Sequence, residues 1–317
     1  MPASELDDAA TLHDGHHRAG SYDIDLLISC SQSVLRLTPA HLSHCDVIAA
    51  GQGLYYGLAR SISDTVWVAA RHALVSESKP AEMEQGSLLE LTADNSIAPR
   101  QLKPIPPLRD LHGIALFKGA LWATSSFDDV IGIHNLRTRA WVWWQPCPLA
   151  LDAPKDRFHF NTLFCEEETV WVLAHRHGPS WLMAFPVQAA LAGKTVAPTK
   201  TLKLGHQAHN IWRQASGELC TCSSIEGKLV GEHGWQLHTG GFPRGVAKVP
   251  GGWVVGVSEL KERKERDFSD ARLLLYDDAW QQTTEVILPK VGMVLDILPI
   301  PRSLTLPVVG VQPVVVD

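Results

Sequence analysis

Five stretches of this chain follow one plan, and a repeat of this kind dictates architecture before any single residue does. They open at Tyr56-Gly57-Leu58-Ala59, Leu111-His112-Gly113-Ile114-Ala115, Phe158-His159-Phe160-Asn161-Thr162, Ala208-His209-Asn210-Ile211-Trp212 and Pro243-Arg244-Gly245-Val246-Ala247. About ten residues after each opening comes an apolar run, often with a Trp: Val66-Trp67-Val68-Ala69, Leu121-Trp122-Ala123-Thr124, Val170-Trp171-Val172-Leu173, Leu219-Cys220-Thr221-Cys222 and Trp253-Val254-Val255-Gly256. With Asp296 as a sixth marker, the positions from Tyr56 onward are separated by 35 to 56 residues. Periods of roughly 40–50 residues built from short strands are the signature of propeller blades.

Third strands are legible at Ser87–Leu91, Ile131–His134, Trp181–Phe185 and Arg272–Tyr276. Helical periodicity is nearly absent, with one turn or two expected over 186–191. The sixth repeat is split. Gly292–Pro299 reads as an opening strand with no successors, and Ile24–Ser29 with Ser33–Leu37 as second and third strands lacking an opening. Joining the two ends would close the ring and leave no open edge between blades. The expected fold is therefore all-β: a six-bladed β-propeller forming one domain over residues 21–317, with five or seven blades as alternatives. The Trp residues recur in phase with apolar neighbours and are expected to pack between blades. Residues 1–20, rich in Asp, Ala and His, read as a disordered tail in which His13, His16 and His17 are solvated.

Composition removes several classes of function. A net charge of −6 argues against nucleic-acid and anionic-membrane partners. No apolar run approaches the ~18–20 residues of a membrane span, and the polar, acidic N-terminus lacks a signal core. The six cysteines form no Cys-x-x-Cys pair and read as small core residues in a reducing, cytoplasmic setting. Cys220 and Cys222 share a strand face but lack the partners of a thiolate metal site. No GxxxxGK, strand-linked GxGxxG, GxSxG or HExxH motif occurs, so nucleotide-binding, serine-hydrolase and zincin readings have no support.

In a propeller the opening of each innermost strand and the end of each second strand lie on one face. Two sets of residues should therefore meet at one channel mouth. The first comprises Tyr56, His112, His159, His209, Arg244 and Asp296. The second includes Arg71, His72, Ser125, Ser126, His175, Arg176, His177, Ser223, Ser224, Ser258 and Glu259. Neutral imidazole is the commonest ligand of first-row metals, and three such ligands leave coordination positions open for water or substrate. His112, His159 and His209 are accordingly the expected ligands of a divalent transition metal (Fe, Mn, Cu or Zn). His72, His175, His177 and Glu259 are candidate proton-transfer residues. Arg244 and Arg71 offer forks for a carboxylate or phosphate, and Tyr56 joins them in substrate binding. The alternative for these residues is structural, as hydrogen-bond partners of the backbone around the channel. The mixed-charge segment Lys261–Asp267 reads as a solvated insertion placed to act as a lid.

The phrases His209-Asn210-Ile211-Trp212 with Gly217-Glu218-Leu219, and Pro243-Arg244-Gly245-Val246-Ala247, resemble blade openings of an uncharacterised bacterial six-bladed propeller family. More distantly the chain, over roughly residues 24–299, is similar to gluconolactonase-like and NHL-like propellers. The resemblance implies a divalent metal at the channel mouth. In gluconolactonase-like enzymes that metal is held by Glu, Asn and Asp, whereas the matching positions here are mainly His and Arg, closer to propeller lyases and oxygenases that hold Mn or Fe by His. Two functions follow. One is a metal-dependent lyase, oxygenase or hydrolase acting on a small polar or anionic molecule. The other is a non-catalytic propeller binding a peptide or protein on one rim.

Overall fold

A computed structural model of the protein describes residues 23–39, 41–77, 79–92, 100–150, 155–176 and 178–316. The tail expected at 1–20 and His177 lie outside the described residues.

The repeats of the sequence are six antiparallel sheets. The innermost strands are Tyr55–Arg60 (blade 1), Leu111–Phe117 (blade 2), Phe160–Glu166 (blade 3), His209–Arg213 (blade 4), Phe242–Val249 (blade 5) and Val294–Pro301 (blade 6). Each packs beside the next, and blade 6 returns to blade 1, so they form a closed ring around an axis. Blade 6 is the closure foreseen from the split repeat: Ile24–Cys30 pairs antiparallel with Val294–Pro301, with Ser29 opposite Asp296. The split-repeat reading counted three strands in this blade. In fact His44–Ala50 supplies the fourth strand and Gly310–Pro313 adds a fifth, while Val315–Val316 extends blade 5. The Pro-rich C-terminus thus runs along the outer edges of two adjacent blades. The expected third strands are present, and the one α-helix among the described residues is Val187–Leu191.

Apolar clusters fill the wedges between blades. One joins Trp122 and Trp144 of blade 2 to Phe160, Val172 and Phe185 of blade 3; another joins Trp212 and Cys222 of blade 4 to Trp253 and Val255 of blade 5. Trp67, Trp122, Trp171 and Trp253 are all buried at such seams. The phase of the Trp residues is therefore set by packing between sheets.

What aims side chains at the axis is a recurrent irregularity. Every innermost strand breaks register near its opening: between Tyr55 and Leu58, Leu111 and Ile114, Phe160 and Thr162, His209 and Ile211, Arg244 and Val246, and in blade 6 next to Asp296. A bulge of this kind re-aims the side chains beside it and strengthens the local twist. The strands also approach closely there. A Cβ on Gly113 would sit 2.7 Å from the Asn161 carbonyl oxygen, so no larger residue fits.

Candidate functional site at the channel mouth

Tyr56, His112, His209 and Arg244 form a partition across the axis, because they line two cavities at once. On one side is an inner channel of about 340 Å³ that includes Asn161, Asn210 and Asp296. On the other is the mouth, about 390 Å³, lined also by Arg71, Glu84, Asp110, Asp156, His159, His175, Arg263 and Arg266. The aromatic rings run continuously around the mouth. Centroids are 4.4 Å apart for Tyr56–His112, 5.0 Å for His112–His159, 4.3 Å for His159–His175, 5.5 Å for His175–His209 and 5.8 Å for His209–Phe242. Arg244 closes the run with its guanidinium 4.9 Å from the Phe242 ring.

The imidazoles are held in one tautomer. His112 Nδ1 lies 2.8 Å from the Asp110 carbonyl oxygen and 3.1 Å from Ser126 Oγ, and the Ser126 hydroxyl itself donates to the Phe160 carbonyl. A carbonyl only accepts, so Nδ1 carries the proton. Two blades on, the same device recurs: His209 Nδ1 is 2.8 Å from Ser224 Oγ, whose hydroxyl donates to the Pro243 carbonyl at 2.7 Å. His159 Nδ1 faces the Asp156 carboxylate at 2.8 Å. In all three rings the basic nitrogen is Nε2, and that of His209 is buried with no hydrogen-bond partner. Fixing one ring nitrogen through a carbonyl, hydroxyl or carboxylate is how proteins orient imidazole toward a metal or a substrate.

Asp110 is the residue the sequence reading missed. It sits two positions before His112 in a left-handed conformation (φ 51°), which folds it back over the strand opening. Its carboxylate lies 3.7 Å from His112 Nδ1 and 3.6 Å from His159 Nδ1, and 2.7 Å from Arg71 Nη1. Arg71 also makes a paired contact with Glu84, which in turn accepts the Asp110 backbone N–H at 2.9 Å. Burial works against the Asp110 charge, but His112 and Arg71 outweigh it and hold the carboxyl well below its ordinary range. At neutral pH Arg71 supplies this stabilisation, because burial pushes His112 down to about 3 and leaves it uncharged. His209 is likewise pushed well below its usual value, by burial first and Arg244 second. The one signal for Asp110 was its spacing, an acid two residues before an opening His.

Among the described residues, Asp110, His112 and His159 are the set of metal-capable side chains that converge: one ligand atom from each lies within 4.8 Å of the others. Ligands sharing an ion at ~2.0–2.2 Å stand ~3.0–3.5 Å apart, so closing on one requires these side chains to move inward by up to about an ångström. His209 belongs to the same ring of side chains but reaches the group through His175. Arg71 is tied into an ion network instead of projecting as an open fork. Tyr56 packs against His112 with its ring tilted 60° and accepts from Arg71 at 3.4 Å. Arg244 projects into both cavities, with Nε and Nη1 buried and lacking acceptors.

Three expected members lie elsewhere. His72 turns into a separate recess of about 370 Å³ with Gln32 and Glu77, where its Nε2 bonds Ser87 at 2.6 Å. Glu259 is on the outside, paired with Lys261 at 3.0 Å. Asp296 faces the inner channel instead of the mouth, where its carboxylate accepts the Leu58 and Ile297 N–H groups and burial raises it to about 6.

No protein-family model matches the chain, and no curated protein matches it in sequence. Solved structures match in shape. A chain of the nidogen/laminin complex aligns with a TM-score of 0.60 at 11% identity, covering 87% of this chain and 98% of its own. A protein of unknown function from Bacteroides caccae gives 0.59 at 10%, covering 87% and 98%. A candidate 6-phosphogluconolactonase from Bacteroides fragilis gives 0.55 at 7%, covering 89% and 99%. The chain has a propeller fold. Likeness at this level of identity carries the architecture and nothing about the chemistry of the mouth.

Proposed function

We propose that the channel mouth is the active site of a metal-dependent enzyme acting on a small polar or anionic molecule, with one divalent transition metal held by Asp110, His112 and His159. The observation that carries this reading is the convergence of an anionic carboxylate and two imidazoles on one buried point. The donor types fit such an ion: an ionised Asp110 carboxylate and two imidazoles, of which His112 is kept neutral by burial. Asp110 takes the third position that spacing alone assigned to His209.

A metal bound there would polarise a substrate oxygen as a Lewis acid. The chain's own residues do the rest. His209 presents an unpartnered Nε2 that can take or return a proton at the substrate. His175, between His159 and His209, is placed to pass it along. Arg244 grips an anionic substituent from the floor, and Tyr56 packs against His112 to keep its ring in place. His72 and Glu259 have no part in this mechanism, since neither lines the mouth.

The test is metal titration of protein produced without an affinity tag, followed by melting temperature and bound-metal analysis. Wild type and the exposed-surface control His238→Ala should take up one Mn, Fe, Cu or Zn ion and melt higher. Asp110→Asn and His112→Ala should lose that response. Uptake unaffected by either substitution, or absent from wild type, would sink the reading.

A further inference from the structure

The mouth holds more positive charge than its carboxylates neutralise. Arg71, Lys79, Arg244, Arg263 and Arg266 line it, against Glu84, Asp110 and Asp156. Arg71 is matched by Glu84 and Asp110, and Asp156 faces His159. Among the described residues the other four cations have no carboxylate partner. Arg244 is only 8% exposed, yet its Nε and Nη1 donate to nothing. Burial disfavours the Arg244 charge first, a hydrogen bond to Tyr56 offsets part of this, and the nearby Arg266 charge adds to the effect of burial. Gathering guanidinium groups that have no carboxylate partner around one recess is unfavourable unless an anion offsets them.

The charged insertion that carries Arg263 and Arg266 is anchored, unlike the free solvated loop its composition suggested. Its Asp267 is fully buried and accepts the Ser76 N–H at 2.7 Å, from the short helix Val75–Glu77 of blade 1. Gln32 of blade 6 donates to the Asp267 carbonyl at 2.6 Å, and Arg266 Nε donates to the Lys261 carbonyl at 2.9 Å. Two arms from blades 1 and 5 therefore meet over the mouth and present the two arginines to it.

We propose that Arg244 from below and Arg263 and Arg266 from above form a binding site for a doubly charged oxyanion, a phosphate monoester or a paired carboxylate, on the molecule that enters this mouth. This rests on the reading of the mouth as a substrate site and names the substrate's charge class. The planar donors of arginine suit tetrahedral and planar oxyanions alike.

The experiment measures binding of inorganic phosphate and, separately, malonate, by calorimetry on protein stripped of metal with a chelator. Wild type should bind one dianion per chain, more weakly as salt rises. Arg244→Gln should weaken it about 10- to 100-fold, the loss of one charge-assisted hydrogen bond. The double variant Arg263→Gln/Arg266→Gln, which keeps the Asp267 anchor of the insertion and so is expected to fold, should weaken it by at least as much. Exposed Lys248→Gln should change nothing. Tighter phosphate binding identifies a phosphoryl group, and tighter malonate binding a dicarboxylate. No binding by wild type, or binding unchanged in both arginine variants, overturns the proposal. Because the assay contains no metal, failure here leaves the metal reading standing, and loss of metal uptake with dianion binding intact would fail the metal reading alone.

Discussion

Arg71→Met is the substitution most sensitive to how the site is held. Arg71 is buried, contacts Glu84 through two nitrogens and Asp110 at 2.7 Å, and both carboxylates are themselves buried. Removing the cation leaves two adjacent negative charges with no fixed counter-charge. Breaking a buried pair from one side destabilises by about 3–5 kcal/mol. For a chain of this size that lowers the melting temperature on the order of 10 °C. The effect has a pH signature. Asp110 in the intact protein is depressed below its unfolded value, so it contributes stability above about pH 4 that is lost as pH falls through the folded value. The gap between wild type and Arg71→Met should therefore be widest at neutral pH and narrow in acid. Arg71→Lys, which keeps the charge but not the two-pronged geometry, should fall between them. A divalent cation should return part of the loss in the Met variant by replacing the missing charge beside Asp110. Urea unfolding followed by tryptophan fluorescence, at pH 7 and at mildly acidic pH, reads all of this. If Arg71→Met unfolds within about 1 kcal/mol of wild type at neutral pH while dianion binding collapses, the residue is a substrate grip and the clamp argument is wrong.

Three further outcomes follow from the same geometry. Ser224→Ala removes the acceptor that fixes the His209 proton on Nδ1 and leaves the buried Pro243 carbonyl short of a donor; it should destabilise by about 1–3 kcal/mol and alter the His209 ring-nitrogen NMR shifts, and unaltered shifts would show the tautomer is set otherwise. Asp296 is raised to about 6 by burial, so it contributes most below its unfolded value and progressively less as pH climbs through 6; stability measured from pH 4 to 7 should decline across that window in wild type and stay flatter in Asp296→Asn. Deleting residues 1–38 removes the Ile24–Cys30 and Ser33–Leu37 strands and opens the ring, so no monodisperse folded protein should be recovered, whereas deleting 1–22 leaves every described strand in place.

The ring of blades was legible because packing imposes it on the sequence: Trp67, Trp122 and Trp171 each fill the seam toward the following blade, Trp253 fills the seam back toward blade 4, and the split sixth repeat has one economical solution. His112, His159, His209 and Arg244 were legible for the same reason, since equivalent strand positions converge on an axis. What the repeat does not encode is backbone handedness. Asp110, His159 and His72 all adopt left-handed backbone, yet the first two line the mouth and the third does not, and nothing in residue type distinguishes them. The register break beside Asp296 is likewise a property of pairing, and with it Asp296 lines the inner channel instead of the mouth. Arg71 was found by position, but its role depends on Glu84, thirteen residues away on a crossing loop that follows no period.

The central claim is that Asp110, His112 and His159 share one metal ion, and the most direct measurement is an anomalous difference map from crystals of the 23–317 chain grown with Mn or Zn. The account predicts a single strong peak in the mouth, ~2.0–2.3 Å from one carboxylate oxygen of Asp110 and one nitrogen each of His112 and His159. A map with peaks only at surface carboxylates and histidines, and none between these three residues, would contradict it.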